Sequence, residues 1–243
     1  MKDKSDARGE KPNNGNCRGK DKGRKKMQVK GKTIAVLGDS ITYGAGASCV
    51  ENGYVNVLAR ISGATVLNYG ISGTRYAKQT KFINMGPDFD RDFCVRVSDM
   101  AENADIVLVF GGTNDFGHSD APFGDDGDRT SDTFIGSCHQ LYSSLIQKYP
   151  DSFIAVITPL HRMSESNTVN EIGLPCRPLK DYVNKIREVA EYYSLPVIDL
   201  YKESGLQPKV EIIREKFMPD GLHPSDAGAK IIAEKIYAYL LCH

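Results

Sequence analysis

Five short apolar runs, spaced along the chain by longer amphipathic stretches, restrict this sequence more than any other feature. They fall at residues 33–37, 64–67, 106–110, 153–157 and 196–200. Most are apolar throughout rather than alternating, as in Ile106-Val107-Leu108-Val109-Phe110. Successive side chains of a strand point to opposite faces, so such a run must be covered on both sides. Between the runs, residues 54–61, 131–148 and 179–193 have helical spacing. Residues 224–241 put Ile231, Ile232, Ile236, Tyr237 and Leu240 on one stripe, and Pro224-Ser225-Asp226 offers a turn and a capping residue before it. The alternation predicts an α/β fold. It is a three-layer α/β/α sandwich on a five-stranded parallel sheet, with right-handed crossovers and the flavodoxin-like order 2-1-3-4-5.

Charge is distributed unevenly. Residues 1–26 carry ten Lys or Arg against four Asp or Glu and show no apolar periodicity, which reads as a disordered basic tail. Residues 27–243 then form a single domain, with no Pro- or Ser-rich linker and no repeat. That domain is acidic by six charges, which argues against nucleic acid as its main partner. No apolar run approaches the ~18 residues of a membrane span. The hydrophilic start Met-Lys-Asp-Lys-Ser-Asp has no signal-peptide core, so a cytoplasmic enzyme is expected. The six cysteines (Cys17, Cys49, Cys94, Cys138, Cys176, Cys242) are scattered without a Cys-x-x-Cys pair, so free thiols are expected and no metal is implied. Asp125-Asp126-Gly127-Asp128 lacks the spacing and terminal Glu of a calcium loop and reads as a solvated turn.

Chemistry-bearing residues collect after the runs. Gly38-Asp39-Ser40 follows the first and presents a hydroxyl at a turn. A serine becomes a nucleophile only when a base takes its proton. Of five histidines, His139 lies in a predicted helix, His243 is the last residue, and His118 and His161 lie in two long segments, 115–130 and 159–178, that leave strand ends. His223 differs, because Asp220 precedes it by three residues in a turn flanked by Pro219 and Pro224. Such a carboxylate can hold one imidazole nitrogen while the other faces the serine. Acyl transfer also needs donors for a developing oxyanion. Gly73, in Asn68-Tyr69-Gly70-Ile71-Ser72-Gly73, and Asn114, in Gly112-Thr113-Asn114-Asp115, follow the second and third runs. Singly each has a plainer reading: Ser40, Gly73 and Asn114 as turn residues, and Asp220 with His223 as a capped helix start. Together they stand at three adjacent strand ends and one turn before a helix, around the crevice where a 2-1-3 order changes direction.

This set resembles the SGNH (GDSL-type) hydrolase superfamily over residues 33–241. The resemblance implies Ser40 as nucleophile, His223 as general base and then acid, and Asp220 as its orienting carboxylate. It further implies an oxyanion hole of the Ser40 and Gly73 N–H groups and the Asn114 amide, with no cofactor. The chain departs from the common pattern in having Thr74-Arg75 after the oxyanion glycine. Arg75 either meets an acidic group of the substrate or pairs with surface aspartates. With Arg75, His118 and His161 are candidate substrate contacts. Asp39 and Asp115 read as supports for turns.

Rival motifs fail. A phosphate loop at Gly31-Lys32-Thr33 would need an earlier glycine where Lys26 stands, and it precedes its strand. The third position of the Gly44-Ala45-Gly46 stretch is Cys49 where a dinucleotide fingerprint needs glycine. No Gly-x-Ser-x-Gly elbow is present. The expected partner is a small-molecule ester. The polar segments 115–130 and 159–178, with no apolar lid, point to a short acyl group such as acetyl on a polar or carbohydrate-like alcohol. Thioesterase or lysophospholipase activity is the alternative within the superfamily, and an inactive flavodoxin-like binding module the alternative outside it.

Overall fold

Strand β1 (Thr33–Gly38) leads through a four-residue helix α1 (Ser40–Tyr43) to α2 (Tyr54–Ser62) and the edge strand β2 (Thr65–Gly70). A computed structural model describes Met1, residues 27–80 and residues 91–243. The basic segment 2–26 therefore lies outside the described residues. After α3 (Phe93–Arg96) come β3 (Ile106–Phe110), α4 (Thr113–His118), α5 (Phe134–Lys148), β4 (Phe153–Ile157) and α6 (Leu179–Tyr192). The chain closes with β5 (Val197–Ile198), α7 (Leu200–Glu203), α8 (Glu211–Phe217) and α9 (Asp226–Leu241). The five strands are all parallel, in the order β2-β1-β3-β4-β5.

Two apolar layers explain the uninterrupted runs. In β1, Ile34 and Val36 pack with Tyr54 and Leu58 of α2 and Ile232, Ile236 and Leu240 of α9. Their neighbours Ala35 and Leu37 face the other way, onto Phe134, Leu141 and Leu145 of α5 and Val183 and Ile186 of α6. All five side chains of β3 are buried, at roughly 1.5–3 kcal/mol for each large one. Edge strand β2 is half-buried to exposed and reads less cleanly.

Several boundaries differ from the sequence-based expectation. Strand β2 runs from Thr65 to Gly70, so Asn68 and Gly70 belong to it instead of following it. Strand β5 has two residues, because Asp199 already caps α7 by accepting from Lys202 N. Helix α5 starts at Phe134, where Thr133 Oγ1 accepts from Gly136 N at 3.1 Å. The segment expected as a loop from residue 115 opens with helix α4. Ser225 caps α9. Cys49, Cys94, Cys138, Cys176 and Cys242 are free thiols, and Cys17 lies outside the described residues. Among the described residues no helix is long and apolar enough to cross a membrane.

Candidate active site

The carboxyl ends of β1, β2 and β3 carry the first three motifs. Asp39 breaks β1, and its carboxylate accepts from Ile41 N at 3.0 Å, which caps α1 and sets Ser40 as its first residue. Ser40 Oγ lies 3.0 Å from His223 Nε2. His223 Nδ1 lies 2.7 Å from Asp220 Oδ2. The other oxygen, Asp220 Oδ1, accepts from His223 N at 2.7 Å and Leu222 N at 2.9 Å. One carboxylate thus builds the turn and holds the ring. Partial burial would raise the Asp220 carboxyl, but these donors from His223 and Leu222 keep it below the ordinary carboxylate range. Being ionised it only accepts, so Nδ1 carries the proton and Nε2 is free to accept from the Ser40 hydroxyl.

The turn is packed from the Ser40 side. Ser48 N and Oγ each donate to Asp226 at 2.7 Å, and Asn52 Nδ2 does so at 3.0 Å. These bonds tie the segment after α1 to the start of α9. Gly46 lies directly against His223 within that segment.

The oxyanion candidates are held by a second network. Gly73 adopts φ +77°, a left-handed conformation costing an L side chain about 1–2 kcal/mol. Asn114 Nδ2 donates to Thr74 O at 2.9 Å, so the amide sits one residue from Gly73. The Gly73 turn lies over the end of β1, where Ile71 N donates to Gly38 O at 3.2 Å. No described residue accepts from the N–H of Ser40 or of Gly73, so both remain open to a ligand oxygen. Asp115 Oδ1 and Oδ2 accept from Ala77 N at 2.9 Å and Tyr76 N at 3.0 Å. Burial raises this carboxyl to about 6 despite those bonds and the nearby Arg75 charge. Burial likewise raises Asp39 to about 7, although the Ile41 N–H and the His223 and Arg96 charges oppose it. Both aspartates support turns, as read from the sequence.

Arg75 is buried, at 1% exposed. Its Nη1 donates to Gly73 O at 3.1 Å and lies 2.9 Å from His118 Nδ1. A guanidinium cannot accept, so His118 Nδ1 is the acceptor. Burial and the Arg75 charge lower His118 to about 4, which keeps its ring neutral near pH 7. His118 and Arg75 therefore brace the Gly73 turn from behind. His161 is placed apart, with Nδ1 2.6 Å from Glu165 Oε2 and its ring 3.8 Å from that of Tyr201.

Arg96 is absent from the sequence reading. Buried in α3, it donates to Gly38 O at 3.1 Å, to Thr74 Oγ1 at 2.7 Å and to Tyr69 O. It thereby fastens the ends of β1 and β2 under both the Ser40 and Gly73 turns. No motif announces it; a lone arginine in a short helix has no sequence signature. The segment 159–178 is strapped along α4 by Arg162 Nη1 to Thr113 O (3.2 Å), Asn170 Nδ2 to Ser119 O (2.8 Å) and Glu171 N to Gly117 O (2.8 Å). Its rim is mostly polar, with Met163, Val169 and Ile172 as separate exposed apolar side chains.

A hydroxyl with a paired base is the core of an acyl-transfer site, and donors for an oxyanion complete it. The family model described as GDSL-like lipase/acylhydrolase matches residues 36–231. A protein from Lactobacillus plantarum of solved structure is 30% identical, with a TM-score of 0.72 over 87% of this chain and 97% of that one. A lipase/acylhydrolase from Enterococcus faecalis is 24% identical, with a TM-score of 0.60 over 86% and 95%. An acetyl xylan esterase shares the fold at 20% identity and a TM-score of 0.58, over 85% and 98%. No curated protein matches the chain significantly.

Proposed function

Since the chain belongs to the GDSL-like lipase/acylhydrolase family and is an ester-hydrolysing enzyme, we propose that it works as a serine esterase through an acyl-enzyme, within a single catalytic domain of residues 27–243. The observation that carries this reading is the continuous line from Asp220 through His223 to Ser40 Oγ, at 2.7 and 3.0 Å. In the first half-reaction His223 Nε2 takes the Ser40 proton as Oγ attacks the ester carbonyl. The Ser40 and Gly73 N–H groups and the Asn114 amide receive the oxyanion, each such donor being worth about 3–4 kcal/mol in the transition state. Collapse expels the alcohol, protonated by His223. Water then enters by the same base, attacks the acyl-Ser40 carbonyl and releases the acid.

The favoured substrate is a short acyl ester, acetyl included, of a polar or carbohydrate-like alcohol. The polar character of residues 115–130 and 159–178 supports this choice, because a long acyl chain needs a continuous apolar surface.

The test is active-site labelling with a fluorophosphonate, combined with a chain-length series of p-nitrophenyl esters. Ser40 is expected to be the labelled residue, and Ser40→Ala or His223→Ala to lose at least about 10³-fold in kcat/KM. Folded protein that resists the probe would sink the serine mechanism. Equal or better turnover of decanoate than of acetate would overturn the short-acyl assignment alone.

A further inference from the structure

Met163 lies against the turn that carries Asp220 and His223. Its N–H donates to Gly221 O at 2.9 Å. Its side chain covers the α-carbon of the same glycine: a Cβ built on Gly221 would fall 2.3 Å from Met163 Cγ and 3.8 Å from Sδ. Gly221 holds φ +78° between Asp220 and the Leu222 and His223 N–H groups that its carboxylate accepts. The turn is thus met at His223 by Gly46 and at Gly221 by Met163.

The thioether that makes this contact is open to solvent. Met163 is 44% exposed, whereas Met100 and Met218 are buried and Met27 is half-buried. Apart from the first residue, no other described methionine is exposed. Arg214 Nη1 lies 3.9 Å from Met163 Sδ. A thioether is a weak acceptor, so this approach contributes little to the reduced protein. Oxidation to the sulfoxide turns a flexible apolar side chain into a polar one. The new oxygen is an acceptor within reach of the Arg214 guanidinium. It draws the side chain toward Arg214 and away from Gly221, and the turn loses its cover.

Resting on the esterase reading above, we propose that Met163 is an oxidation site through which hydrogen peroxide lowers activity by loosening the His223 turn. A lone pair of the sulfur attacks one peroxide oxygen. The S–O bond forms as the O–O bond breaks, and the departing hydroxide takes up the remaining proton and leaves as water. The sulfur loses two electrons and the peroxide gains them. Ser40, Asp220 and His223 are left chemically intact, so the loss falls on kcat.

The experiment treats the full chain with hydrogen peroxide and then with a thiol reductant, which restores reversibly oxidised cysteines and leaves the sulfoxide. The wild type is expected to lose about tenfold in kcat on p-nitrophenyl acetate with KM little changed, from a shift of a fraction of an ångström in the base. Peptide mass mapping is expected to place one added oxygen on Met163, and methionine sulfoxide reductase to restore the rate. Met163→Leu keeps an apolar side chain of similar volume without the sulfur. Compared with its own untreated rate, that variant is expected to keep most of its activity. An equal fractional loss in Met163→Leu overturns the assignment. So does an unchanged kcat with Met163 fully oxidised, or a fall in rate while Met163 stays unoxidised. Failure of Ser40 in untreated protein to react with the fluorophosphonate defeats the esterase reading itself.

Discussion

Gly46 shows how narrowly single residues set this site. It holds φ +89°, and a Cβ there would fall 2.6 Å from His223 Cβ and 2.7 Å from Pro224 O. Gly46→Ala must therefore push the base away from Ser40 or strain the loop. A misplacement near 1 Å costs about 100-fold in rate, so kcat is expected to fall by about that factor with the thermal midpoint moving only a few degrees. A variant with wild-type kcat would show that the turn absorbs the methyl without moving the ring. Gly46 had no legible role in the sequence, because its partner is 177 residues away and only packing reveals it. Ser40, Asp220 and His223 were legible because their chemistry is local: a turn serine, and a carboxylate three residues before an imidazole. The burial of Arg75 was not legible for the converse reason. An arginine's burial is decided by acceptors elsewhere, here the Gly73 carbonyl and the His118 ring.

Helix α4 is the element on which the geometry of the proposed oxyanion donors depends. In six residues it places Asn114 on Thr74 O, Asp115 on the Tyr76 and Ala77 N–H groups, and His118 on Arg75. Residues 74–77 are gripped at every position. Asp115→Asn replaces a two-oxygen acceptor by one oxygen and a donor, leaving one buried N–H without a partner at about 1–3 kcal/mol. Urea unfolding is expected to register that loss, and kcat to drop more than KM rises. An unchanged unfolding midpoint would refute the clamp. The helix was missed because six residues containing Gly117 cannot display a 3.6-residue period. Strand β5 was overdrawn for a related reason: Leu200 is as apolar as its predecessors, and only the Asp199 cap turns the chain into α7. The long runs, by contrast, declare themselves, since both faces of β1, β3 and β4 must be filled.

Across the whole molecule, buried charges set how stability follows pH. Between the ordinary carboxylate range and about pH 7, folded Asp39 keeps a proton that the unfolded chain has released. Raising pH through that interval therefore favours unfolding, and Asp115 acts the same way up to about 6. His118 opposes them: the unfolded chain takes up a proton below pH 6.5 that the folded ring refuses until about 4, so stability falls as pH drops through that window. Glu165, held at about 2, adds a further loss below its ordinary 4.5. Asp39→Asn keeps an acceptor for Ile41 N while removing the largest of the downward slopes. Its urea midpoint is expected to change less between pH 5 and 7.5 than that of the wild type. A variant as pH-sensitive as the parent would show that Asp39 ionises freely in the fold.

The bonds from Ser48 and Asn52 to Asp226 have a consequence in time as well as in space. Ser40 and His223 are 183 residues apart, and in the fold they meet where α9 packs against α2 and this tie is made. A chain made from its amino end carries a finished serine turn long before it carries anything able to take that proton. On the serine-esterase reading proposed above, a chain without its last turn and helix would hold the hydroxyl but not its base.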